Sequence, residues 1–76
     1  MNDEIHIGKT ILQKLKDNER TVSWLARQLN RDASNLGRLL QSSHHIHTEL
    51  LLNISLAMKE NFFACYYEAV NENIKQ

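Results

Sequence analysis

The chain has 76 residues, with nine Lys and Arg against nine Asp and Glu, a formal net charge of zero and a pI near 6.9. That length allows one domain, close to the lower limit at which a hydrophobic core holds a fold without staples. The single Cys excludes an intramolecular disulfide and a two- or four-Cys metal site, while 42% hydrophobic residues and no proline suit a small all-helical domain rather than a disordered chain.

Helix is the default because only Gly8 and Gly37 interrupt the chain and no alternating pattern runs far. Ile7, Ile11, Leu12 and Leu15 at helical spacing predict a first helix over residues 7–17, ended by Asp17-Asn18-Glu19-Arg20. Thr21 is placed to cap a second helix from Val22 to Leu29, whose apolar arc is Val22, Leu25, Ala26 and Leu29. Asn30-Arg31 makes a short break in which Asn tolerates the left-handed conformation. Asp32 then caps a third helix from Ala33 to about Gln41, with Leu36, Leu39 and Leu40 inward and Ala33, Ser34, Gly37, Arg38 and Gln41 outward. Ser42 to His47 reads as a polar loop. Thr48 is expected to cap a fourth helix from Glu49 to about Lys59, and Asn61 a fifth from Phe62 onward. The whole chain, 1–76, reads as one domain with a core over about 7–70 and mobile ends. Met1 to His6 has neither the basic flank nor the apolar stretch of a secretory signal. No apolar run approaches the ~20 residues of a membrane span. The expectation is a cytoplasmic protein that makes no membrane contact.

Zero net charge argues against a polyanion partner until the charges are placed. Residues 9–38 hold Lys9, Lys14, Lys16, Arg20, Arg27, Arg31 and Arg38 against Asp17, Glu19 and Asp32, for +4; residues 1–8 and 39–76 carry −2 each. Three histidines, at 44, 45 and 47, follow the basic stretch. A basic first half and an acidic second half point to a face for a polyanion.

Two short helices joined by a tight turn have definite requirements. Ala26 is small enough for a close crossing, Asn30 suits the turn four positions later, and Leu36 lies ten positions after Ala26, where it can lock the second helix onto the first. On these residues, the stretch Thr21 to Leu40 (TVSWLARQLNRDASNLGRLL) resembles the helix-turn-helix of the phage-repressor and Cro group, the XRE type. Ile46 to Ser55 resembles that family's fourth helix, so the similarity spans about residues 7–68. The family usually has Gly where Asn30 stands, and often a small or apolar residue where Arg31 stands.

The resemblance implies a five-helix, lambda-repressor-like domain with the helix-turn-helix formed by helices 2 and 3. Its function would be sequence-specific binding of double-stranded DNA by a small transcriptional regulator, with the helix after Asp32 in the major groove and the protein acting as a homodimer. Family positions that reach base edges match Ala33, Ser34 and Arg38, on the arc that periodicity turns outward. Arg38 can pair bidentately with guanine O6 and N7, a contact worth ~1–3 kcal/mol of discrimination. Ala33 can pack on a thymine methyl and Ser34 can donate to a base or a phosphate. Phosphate contacts are expected from Thr21, Arg27, Arg31 and Asn35, and from Ser43 and His44 in the polar loop. Gly37 costs ~1 kcal/mol in a helix interior, and its place on the outer arc suggests close approach to DNA.

Other residues stand apart from this motif. Trp24 falls roughly 150° from the centre of helix 2's apolar arc. It is expected either to pack within the domain or to meet helix 5, a second subunit or DNA. Phe62, Phe63, Tyr66, Tyr67, Val70 and Ile74 form one broad apolar face of helix 5, either folded over Leu52 and Leu56 or pairing two copies. A second reading of function is therefore a protein-interaction module that uses Trp24 and the aromatic C-terminal helix. His44, His45 and His47 lack the companion Cys or helical His pair that zinc needs, so no metal is expected. Cys65 has no neighbouring base in its aromatic helix. With no Gly-rich phosphate loop and no convincing carboxylate pair, neither an enzyme nor a cofactor nor a small-molecule ligand is expected.

Overall fold

A computed structural model describes residues 5–42 and 45–74, and among these it is all helical, with no strand. The helices are α1 (Ile7–Asp17), α2 (Val22–Leu29), α3 (Ala33–Ser42), α4 (Thr48–Met58) and α5 (Ala64–Ile74). Helix α1 packs on α3, and α2 packs on both α3 and α4; α5 makes no comparably broad contact with any of them. Among the described residues, no helix is long and apolar enough to cross a membrane.

The core follows from periodicity. Ile7, Ile11 and Leu15 lie four residues apart along one side of α1 and are fully enclosed, as are Leu25 of α2, Leu36 and Leu40 of α3, and Ile54 of α4. Ala26 of α2 and Leu50 and Leu51 of α4 are also buried in this interior. Val22, Leu29 and Leu39, expected inside, lie half-buried at its edge. The closest crossing is made by Gly8 of α1 against α3. A Cβ at residue 8 would stand 2.0 Å from the carbonyl oxygen of Leu40, so only glycine fits.

Helices α1, α2 and α4 end alike. Glu19, Asn30 and Lys59 take left-handed φ values of 58°, 57° and 56°. At each end the next amide donates five residues back: Arg20 to Leu15 at 2.8 Å, Arg31 to Ala26 at 2.9 Å and Glu60 to Ser55 at 3.0 Å. These are Schellman closures, which satisfy carbonyls that the helix end leaves open.

Helix starts depart from expectation in three places. His6, assigned to a loose terminus, caps α1: its Nδ1 accepts from the Lys9 amide at 3.1 Å. His47, not Thr48, caps α4, with Nδ1 accepting from the Leu50 amide at 3.3 Å while Thr48 is already the first helical residue. In both, an imidazole lone pair does what a hydroxyl or carboxylate oxygen does at most helix starts. Helix α5 begins at Ala64 rather than Phe62. Asn61 Oδ1 accepts from the Phe63 amide at 3.0 Å and so holds a turn there. The Phe62 amide donates to Ser55 Oγ at 3.4 Å, and its ring is buried in the core.

That turn decides how α5 sits. Cys65 and Tyr66 pack toward the core, and burial, assisted by the charge of Cys65, pushes the Tyr66 hydroxyl above its ordinary value. Tyr67, Val70 and Ile74 are exposed, and so are Leu52 and Leu56. Helix 5 therefore does not fold over Leu52 and Leu56, contrary to the simpler of the two expectations. Trp24 is half-buried against the core. It lines a cleft with Ala57 and Met58 at the end of α4, so it packs within the domain. The Arg20 guanidinium lies over its ring, 4.6 Å from the centroid.

Candidate nucleic-acid interface

The α2–α3 pair sets the geometry. Thr21 Oγ1 accepts from the Trp24 amide at 3.0 Å and starts α2; the left-handed Asn30 ends it and reverses the chain within three residues. Asp32 Oδ2 accepts from the Asn35 amide at 2.9 Å, the N-terminal cap expected of it. Its charge also suits the positive end of the α3 dipole. With Leu36 and Leu40 locked inward, the opposite side of α3 has to face solvent.

That outward side and the first turn of α2 enclose a shallow strip lined by Val22, Ser23, Ala33, Ser34, Gly37, Arg38 and Gln41. All three residues expected at base edges, Ala33, Ser34 and Arg38, therefore share one concave surface. Ser34, Arg38 and Gln41 are exposed on it and Ala33 is half-buried. Val22, Ser23 and Gln41 join this strip although none was placed among the contact residues. The signal for Ser23 and Gln41 was their place on the outward arcs; Val22 was hidden by its place on the apolar arc.

Arg38 does not hang free. Its Nη2 donates to Asn35 Oδ1 one turn earlier. At the C-terminal end of the helix, the Arg38 carbonyl accepts from Ser42 Oγ at 2.7 Å. Holding the guanidinium in one place lowers the rotamer entropy lost when its planar fork meets a partner. Asn35, expected at a phosphate, is thus also the residue that positions Arg38.

The expected phosphate contacts are dispersed. Thr21, the cap of α2, and Arg27 on that helix are exposed outside the strip. Arg31 is exposed in the α2–α3 connection and borders a separate depression with Asn30, His47, Glu49 and Asn53. That depression also holds the acidic side chain of Glu49. Ser43 and His44 lie outside the described residues. Among the described residues, no group of three His, Cys, Asp or Glu could hold a metal ion. Cys65 is a half-buried free thiol.

No protein-family model matches this chain, and no curated protein and no solved structure does so either.

Proposed function

We propose that this protein is a small helix-turn-helix regulator of the kind it resembles, binding double-stranded DNA through α3 in the major groove and acting as a pair of identical chains. The observation that carries the reading is the concave strip between α2 and α3, where Ala33, Ser34 and Arg38 come together with Asn35 bracing the guanidinium. A strip of this composition suits base edges: a bidentate donor for guanine, a hydroxyl that donates or accepts, and a methyl-sized contact for thymine. The charge of the segment that contains it also supports the reading, since residues 9–38 carry seven cations against three anions. Their attraction for phosphate supplies affinity without sequence preference, and the strip adds discrimination.

The rival reading, a protein-interaction module, rests on α5 and Trp24. The ring of Trp24 is half-buried and lies under the Arg20 guanidinium, which leaves α5 as the larger exposed surface for that reading. An exposed apolar helix is equally at home in a paired DNA-binding protein, and the two readings share this feature.

Fluorescence anisotropy of random-sequence duplex DNA over a salt series tests the proposal. The expected result is binding at low salt whose logarithm falls linearly with that of salt concentration, with a slope of about −0.9 for each phosphate neutralised. No detectable binding at low salt overturns it.

A further inference from the structure

Spacing along the chain points to no small-molecule ligand, yet the fold brings together residues that suit one. A cleft of about 470 Å³ opens where the α1–α2 connection meets the end of α4. That volume falls within the ~300–1,000 Å³ of small-molecule sites. Trp24 of α2 and Ala57 and Met58 of α4 give the cleft half-buried apolar surface, and Arg20 and Lys59 bring exposed cations to it. Asn18 and Gln28 add side-chain amides, which both donate and accept.

The charges of this cleft are uncompensated. The Arg20 guanidinium lies 4.6 Å from the centroid of the Trp24 ring. That contact engages its charge and steadies it, but leaves its N–H donors for another partner. Among the described residues the Arg20 side chain makes no hydrogen bond, and neither Arg20 nor Lys59 has a carboxylate oxygen within 4.0 Å. Glu60, next to Lys59, pairs with Lys14 at 3.8 Å, and Glu19, next to Arg20, does not line the cleft. Asn18 and Lys59 cap the C-terminal ends of α1 and α4, so both carbonyl ends border the site. Each end counts for roughly half a negative charge. Two full cations outweigh them, and the cleft stays positive.

We infer that this cleft binds a small aromatic anion. The flat ring lies against Trp24 and the Met58 thioether, which favours aromatic neighbours. The carboxylate or phosphate of the ligand meets the Arg20 fork, whose paired donors match either oxyanion, and Lys59 adds a point charge. The site is separate from the α2–α3 strip. At 100° per residue, Trp24 and Gln28 stand about 170° around α2 from Val22 and Ser23, which line that strip. It therefore goes beyond the nucleic-acid reading and does not rest on it.

Trp24 is the only tryptophan of the chain, so its indole N–H resonance reports on this cleft. Phenylacetate and phenyl phosphate, added separately to the full chain, test the two oxyanions. At least one should shift that resonance and saturate with a Kd on the order of a millimolar or below, as ligands of about ten heavy atoms reach. The tighter of the two identifies the oxyanion. Benzyl alcohol and inorganic phosphate each carry half of the recognised chemistry and should bind about tenfold more weakly or worse. Arg20→Gln should weaken the better anion about tenfold or more, the loss of a charge-assisted hydrogen bond. Lys59→Asn keeps a residue that tolerates the left-handed backbone and should weaken it about two- to fivefold. Both side chains are exposed, so circular dichroism should show unchanged helix content in each variant. A resonance that neither anion shifts overturns the inference. So does benzyl alcohol or inorganic phosphate binding as tightly as the better anion, or a variant that binds it as well as the parent. None of these results bears on DNA binding, which anisotropy reports separately.

Discussion

Helices α3 and α5 are almost equal in length, ten and eleven residues, and they show solvent opposite kinds of surface. Helix α3 is anchored by Leu36 and Leu40, crossed by α1 at Gly8 and by α2 at its other side, and it presents Ser34, Asn35, Arg38 and Gln41 outward. Helix α5 has no buried residue and presents Tyr67, Val70 and Ile74. A core of this size encloses the apolar sides of four helices and one further ring, that of Phe62. The large apolar side chains left most exposed, Leu52, Leu56, Tyr67, Val70 and Ile74, lie on α5 and on the outer flank of α4. A polar arc with a held guanidinium suits a hydrated polyanion, whereas an exposed apolar face suits a protein surface.

The most severe way to break the contrast is from behind α3. Gly8→Ala places a methyl group 2.0 Å from the Leu40 carbonyl oxygen, and neither backbone can yield without moving α1 away from α3. Urea unfolding should show a loss of about 3 kcal/mol, at the upper end of overpacking costs. A loss within ~0.5 kcal/mol would mean that α3 is not braced there.

Arg38→Ala sharpens the other side of the comparison. Affinity for the preferred DNA sequence should fall by ~1–3 kcal/mol while binding to random duplex falls much less. Equal losses in a titration of both duplexes would make Arg38 a phosphate contact. Smallest in effect is Gly37→Ala. The added methyl meets only Val22 Cγ1, at 3.8 Å, so stability should rise by about 1 kcal/mol as a helix-interior glycine is removed. DNA affinity should nevertheless drop if the duplex lies against that turn. A more stable variant with undiminished affinity would place the duplex elsewhere.

Much of the body could be read from the residues. The spacing of Ile7, Ile11 and Leu15 located α1, and Thr21, Asn30 and Asp32 marked where α2 begins, where it ends and where α3 begins, because local hydrogen bonding specifies such positions. The outward arc of α3 was legible for the same reason, since a buried Leu36 and Leu40 leave no choice about what faces out. His47 was missed as a cap because the cap rules favour oxygen acceptors, and Thr48 stood next to it. Gly8 was given no role by the sequence, since that role depends on a backbone 32 residues away. The orientation of α5 was open because periodicity identifies an apolar side without naming what covers it; the turn at Asn61 to Phe63 decides that. Asn35 was expected to serve a phosphate, and its hold on Arg38 depends on rotamers that spacing permits but does not dictate.

The three matching helix ends carry a cost that the rest of the molecule absorbs. Glu19, Asn30 and Lys59 each hold a left-handed backbone that glycine adopts freely, and for an ordinary side chain such as Glu or Lys the difference is roughly 1 kcal/mol or more. Asn30 loses least, since asparagine tolerates that region best. The joints between helices are thus fixed by main-chain hydrogen bonds and remain in place under side chains ill suited to them. Such a chain sits below the stability its own topology permits, and glycine at residues 19 and 59 would recover part of the difference while the angles between its helices persist.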